Sequence, residues 1–158
     1  MINTDQNTDL VVWDERFVIG VPLIDSQHKE LFSLTNELFH ACMGEYGSLE
    51  GVLEGVFKET MERMVAYVHF HFGAEQVLLE RINYPDYHEH KKQHDTLVMK
   101  IVESVKEYSE GKKLVPNQFV RILRDWILGH IALYDKLYAS YIDTQKKNGL
   151  LGDIEING

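Results

Sequence analysis

The chain has 158 residues, 44% of them apolar and 26% charged, a composition that suits one soluble domain able to bury its own core. Its net charge of −9 excludes nucleic acid and anionic membrane surfaces as partners gathered by long-range attraction. No stretch approaches the roughly 20 unbroken apolar residues of a membrane span, MINTDQNTDL lacks the basic start and apolar run of a secretion signal, and the single cysteine, Cys42, rules out an intramolecular disulfide framework, so a reducing cytoplasm is the expected location.

Residues 1–22 show no helical period; VVWDERFVIGVP, with Gly20 and Pro22 as breakers, predicts an extended arm that packs Trp13 and Phe17 on the rest of the chain. From about Leu23, Ile24, His28, Leu31, Thr35, Leu38 and Cys42 recur at three- and four-residue steps, one face of a helix. Gly44 and Gly47 end it, and Ser48 is the expected N-cap of the next. The second helix runs to about Asn83, before Tyr84-Pro85, with an inner stripe of Val56, Thr60, Met64, Tyr67, His71, Glu75, Leu78 and Ile82. Asp86 is placed to cap a third helix, whose stripe is His90, His94, Leu97, Ile101, Val105 and Tyr108 and whose stop is Gly111. Pro116-Asn117 opens the last helix, which carries Phe119, Ile122, Leu123, Trp126, Ile127, His130, Leu137 and Tyr141 and ends near Gly149. Residues 150–158 read as a tail. The expectation is an all-α, up-down-up-down four-helix bundle over residues 23–149 with an extended N-terminal arm.

The chain has eight histidines, and the helical period sorts them. In HFHFGAE, residues 69–75, His69 and His71 stand about 200° apart on a helix and cannot share a face. His71 is in register with Tyr67, Glu75 and Leu78; His69 points away. His88 stands in the same relation to His90, and His40 falls off the first helix's stripe. That leaves His28, His71, His90, His94 and His130 on inward faces, every helix contributing at least one. Glu75 follows His71, and His94 follows His90, at four residues, about 6 Å of rise along one face, close enough to converge on a metal centre. A lone buried histidine is ordinarily hydrogen-bonded to a neighbour. Burying this many polar groups among Leu, Ile and Val without strong partners costs several kcal/mol each, and a metal supplies the partners. Asp135 follows His130 by five residues, about 140° away on an ideal helix. The two could straddle one site, or a local π-type widening could join them; spacing leaves this open.

These imidazoles and carboxylates are too many for one tetrahedral site and suit two first-row ions about 3.5–4 Å apart. Imidazole with carboxylate fits iron, manganese or zinc, and one cysteine argues against thiolate chemistry. HKKQH (90–94) is not a zinc-protease motif, because Lys91 stands where that motif needs Glu. Ferritin-like bundles use Glu-x-x-His pairs, whereas this chain has His-x-x-x-Glu and His-x-x-x-His.

The order His28, HFGAE (71–75), HKKQH (90–94) and HIALYD (130–135) resembles the hemerythrin family in its bacterial single-domain form. VVWDERFVIGVPLIDSQHKEL, NYPDYHEH and DWILGHI support the resemblance, which covers about residues 10–145. It implies two iron ions, cycling between ferrous and ferric: one held by His90, His94 and His130, the other by His28 and His71. Glu75, Asp135 and an oxo or hydroxo group would bridge them, with dioxygen at the open position of the two-histidine iron. Ile127, three residues before His130, lines the oxygen pocket by the same resemblance, with Trp126 beside it. Gln76, where many relatives carry a second glutamate, and Tyr134, where a smaller residue is expected, depart from the family without removing a ligand. The implied function is reversible dioxygen binding by a monomeric carrier that stores oxygen or delivers it to an oxygen-using partner enzyme. A sensor ranks second, since 158 residues leave no room for a signalling domain. A di-iron peroxidase or nitric-oxide-processing enzyme ranks last: no general acid or base stands out, although Tyr67 and Tyr134 could serve.

Overall fold

Each predicted helix has its start or stop in local chemistry. In the computed structural model, which describes residues 8–43, 50–112 and 115–152 (at 50–54 and 115 the backbone only), α1 spans Pro22–Cys42, with proline at its opening where a missing N–H costs nothing. Helix α2 spans Glu50–Arg81 and α3 Tyr87–Ser109. Between them Asn83 takes a left-handed φ of 50°, and the amides of Asn83 and Tyr84 bond back to the carbonyls of Glu80 and Leu79. Gly111 closes α3 the same way at φ 80°, a conformation without strain only for glycine. Helix α4 spans Val115–Gly129, and its continuation α5, Lys136–Lys147, ends at Gly149 (φ 70°). The predicted stops at Gly44 and Gly47, the Ser48 cap and residues 153–158 of the tail lie outside the described residues.

α1 packs against α2 and α4, and α3 against the same two, so the helices go round the bundle in chain order. Such an antiparallel arrangement follows from short connections between long amphipathic rods. No described helix is long and apolar enough to cross a membrane. The buried side chains form two apolar clusters. One contains Leu31, Leu38, Met64, Leu97, Phe119 and Leu123; the other Ile24, Leu78, Leu79, Ile82, Tyr138 and Ile142. Along α1, α2 and the last helix the predicted polar residues fall between these clusters.

Four expectations need correcting. The arm is not wholly extended: Glu15–Phe17 form one 3-10 turn, capped by the Asp14 carboxylate, which accepts from the Arg16 amide. Trp13 and Phe17 of the arm lie against Phe32 at ring-centroid distances of 5.3 and 5.0 Å. Asp86 occupies the N-cap of α3, but its side chain makes no capping bond. His40 is buried, not exposed, because the arm covers it and Asp9 Oδ1 lies 2.9 Å from its Nε2.

The fourth correction is the largest. The last helix is not uniform: His130–Asp135 form a six-residue π-helix. A π turn holds one residue more than an α turn, so everything beyond it is displaced by one position. Leu137, expected on the inner stripe, is 57% exposed, and Tyr141 is only half-buried; Tyr138 and Ile142 fill the core in their place.

Candidate metal centre

All of the inward histidines named from the periodicity, with both carboxylates, are buried at one level of the bundle. His28, Glu75 and Asp135 are 0% exposed, His71 and His94 1%, His90 and His130 3%. His69 and His88 are exposed, as their faces predict. α1 contributes His28, α2 His71 and Glu75, α3 His90 and His94, and the π segment His130 and Asp135. Of the geometries left open for Asp135, the structure takes the π widening.

Potential ligand atoms gather into two groups, each within 4.8 Å: Glu75, His90, His94 and His130 in one; His28, His71 and Glu75 in the other. Glu75 belongs to both. Its Oε2 lies 3.1 Å from His94 Nε2, 3.4 Å from His90 Nε2 and 3.8 Å from His71 Nε2. Asp135 turns one oxygen toward each group, Oδ1 at 3.0 Å from His130 Nε2 and Oδ2 at 3.2 Å from His28 Nε2.

A cation fits this set better than protons do. Both Asp135 oxygens and His28 Nε2 are buried, and none has a hydrogen-bond partner among the described residues; the Asp135–His28 approach has the distance of an ion pair but not the direction of a hydrogen bond. His94 Nε2 and His130 Nε2 face each other at 3.1 Å, where neutral rings would oppose lone pair to lone pair or N–H to N–H unless their tautomers differ. Orphaned acceptors in an apolar interior are costly, and divalent ions are their usual solution. Imidazole and carboxylate without thiolate suit iron, manganese or zinc.

Electrostatics prepares the donors. Burial drives His71 down to about 3, partly opposed by the Glu75 charge, and burial likewise lowers His94, so both rings are neutral and free to donate a lone pair. Burial opposes a proton on His28 and His90 as well, but Asp135 beside the first and Glu75 beside the second raise them. Burial alone would lift the Glu75 carboxyl; the surrounding His71, His90 and His94 imidazoles instead hold it well below the ordinary carboxylate range.

Sequence reasoning missed three supporting residues. Gln27 Oε1 lies 2.9 Å from His71 Nδ1, which fixes the tautomer that leaves Nε2 facing the site. The Tyr138 hydroxyl donates to Glu75 Oε1, and burial with the Glu75 and Asp135 charges raises the phenol well above its usual value, so it keeps its proton. Phe72 lies flat on the His94 ring. Gln27 and Phe72 were legible as neighbours of His28 and His71; Tyr138 was hidden by the π register. Ile127 is 1% exposed among core side chains, and Trp126 stacks on His130. Gln76 is half-buried, and Tyr134 is half-buried against the same His130 ring.

A four-helix bundle with a buried cluster of histidines and carboxylates that could hold cations defines a class, and sequence comparison assigns it. The hemerythrin HHE cation binding domain family matches residues 19–142, and the chain belongs to that family. Bacteriohemerythrin from Methylococcus capsulatus is 30% identical over 130 residues, covering 82% of this chain and 94% of the relative. Bacteriohemerythrin from Stenotrophomonas maltophilia is 27% identical over 133 residues, covering 84% and 82%. A solved wild-type hemerythrin matches with a TM-score of 0.71 at 28% identity, over 83% of this chain and 96% of that one.

Proposed function

We propose that this chain binds dioxygen reversibly at a pair of iron ions and serves as an oxygen store or carrier. His90, His94 and His130 would hold one ion and His28 and His71 the other, with Glu75, Asp135 and an oxo or hydroxo group shared between them. The observation that carries the reading is the placement of both carboxylates: each has atoms near histidines of both groups, as a bridging ligand requires. A ferrous pair held there would supply the electrons for reversible dioxygen uptake.

The chain's own residues account for the choice of binding over turnover. Nitrogen-rich ligation leaves less negative charge at the centre than a carboxylate-rich set, which disfavours oxygen activation. Tyr138 holds its proton on Glu75 Oε1, so the phenol is committed to the carboxylate and is not a free acid. Ile127 and Trp126 present an apolar wall that excludes water. Replacing Ile127 with Ala opens that wall, and the oxygenated absorption band is expected to decay faster in air; an unchanged decay removes Ile127 from the pocket.

A sensor is the second reading, favoured by one contact: Lys136, next in sequence to Asp135, donates through Nζ to the Val18 carbonyl and ties the arm to the π segment. Anaerobic reconstitution with Fe(II), an iron count, and spectra through cycles of oxygen exposure and removal test the proposal. Two irons per chain with a band that returns on each cycle support it. Fewer than two irons overturn it, and irreversible bleaching with product turnover replaces it with an enzyme.

A further inference from the structure

Metal-ligating histidines are ordinarily oriented by an acceptor on the ring nitrogen that faces away from the metal. His71 obeys this through Gln27. His94 and His130 do not: their Nδ1 atoms are buried, and no acceptor among the described residues reaches either. Each ring is instead covered by another that lies nearly parallel to it. Phe72 stacks on His94 with centroids 3.7 Å and planes 1° apart. His130 has Trp126 four residues before it, at 4.1 Å and 12°, and Tyr134 four residues after it, at 5.4 Å and 21°. Among the described residues His28 Nδ1 has no partner either, and its ring meets the edge of His71, at 4.7 Å and 71°. Among the described residues, parallel stacking on these histidines is thus confined to the group that contains three of them.

We propose that Phe72, Trp126 and Tyr134 are positioning residues that fix the His94 and His130 rings by stacking, in place of hydrogen bonds, and so set metal affinity at the three-histidine half alone. The inference rests on the metal-centre reading above. An imidazole without a bonded Nδ1 turns about its Cβ–Cγ bond, and every orientation off the site lowers the fraction able to ligate. A flat ring packed on its face blocks that rotation. Helix α2 then serves both halves, with His71 as a ligand in one and Phe72 as a brace in the other. Tyr134 finds a role as well: the phenol ring, not its hydroxyl, is what touches His130.

The test is a Co(II) titration of metal-free wild type, Phe72→Leu, Tyr134→Leu and Tyr134→Phe, followed by visible absorption. Wild type takes up two ions. Each leucine variant is expected to hold one ion at wild-type affinity and the other about tenfold more weakly or worse, the scale of losing a histidine's orienting partner. Tyr134→Phe keeps the stack and titrates as wild type. In the metal-free protein, Tyr134→Leu shifts the ring-proton resonances of His130, and helical circular dichroism checks the fold. Tyr134 is half-buried, so Tyr134→Leu decides the matter if Phe72→Leu does not fold. Leucine variants that bind both ions at wild-type affinity, or that weaken both ions equally, overturn the inference. A wild type that binds fewer than two Co(II) ions overturns the metal-centre reading instead.

Discussion

Two helices each bring one histidine and one carboxylate to the same buried centre, and they do so by different geometry. On α2 the pair His71 and Glu75 is four residues apart, and an ordinary α-helix places both on one face. On the last helix the pair His130 and Asp135 is five apart, and the backbone widens into a π segment to bring Asp135 Oδ1 to 3.0 Å from His130 Nε2. In the first case periodicity does the work. In the second the backbone departs from its preferred form, with Ile131 buried in one apolar cluster and Tyr138 in the other. π-Bulges are rare and concentrate at functional sites, which matches their use here.

The sharpest way to break this contrast is to change each helix by one residue. An alanine inserted after Gly73 rotates Glu75, Leu78, Leu79 and Ile82 by about 100° relative to His71 and the stripe before it. Two-ion uptake and cooperative unfolding are both expected to be lost, as a metal count and a thermal melt will show. Deleting Leu133, which is 65% exposed, removes the extra residue of the π turn and leaves Tyr138 and Ile142 in register. That variant is expected to stay folded with a melting temperature near that of the wild type. If it unfolds as the insertion does, the π segment is structural and the contrast fails.

Acid sharpens the α2 side. In the metal-free protein the folded-state value of His71 is about 3 against 6.5 unfolded, so the unfolded chain binds more protons throughout that interval. Stability is therefore expected to fall as the pH drops below 6.5. His94, also lowered, acts in the same direction. His28 and His90 are raised; their contribution is fully present below 6.5 and fades above it, so it does not mask the decline. Unfolding free energies from urea titrations between pH 6 and 4.5 should drop at up to about 1.4 kcal/mol per pH unit on account of His71, and His71→Leu should lose that slope. A slope unaltered in His71→Leu would show that the buried ring is not the group titrating.

A smaller effect links the two helices. Tyr138→Phe deletes the donor to Glu75 Oε1 and is expected to lower metal-free stability by about 1.5–3 kcal/mol, the net value of a hydrogen bond to a charged group. The smallest effect is expected at His69→Ala: the residue is exposed on the outer face of α2, so stability should change by less than about 0.5 kcal/mol and two-ion uptake should be unchanged.

The residues of the centre were legible because burying a polar group violates the apolar pattern of a helix face, and a violation repeated on four helices is visible in a linear string. His71 with Glu75 and His90 with His94 could be read directly from 3.6-residue periodicity. Asp135 could not, and the family resemblance supplied it where spacing stayed open. The same backbone widening explains why Leu137 and Tyr141 were expected inside and Tyr138 and Ile142 are found there. His40 escaped for another reason: its burial comes from the arm, a long-range contact through Asp9 that no local period encodes.

The sequence alone determined that four amphipathic helices form, where most of them stop, and which polar side chains must face inward, because these depend on side chains three or four positions apart and on glycine, proline and cap chemistry. Tertiary structure alone decided that His130–Asp135 take the π form, that Tyr138 and Gln27 support Glu75 and His71, and that stacked rings stand where His94 and His130 find no Nδ1 acceptor among the described residues. Such features depend on which groups distant segments place within a few ångströms of each other. A helical period describes one rod at a time; the centre exists only where four rods meet.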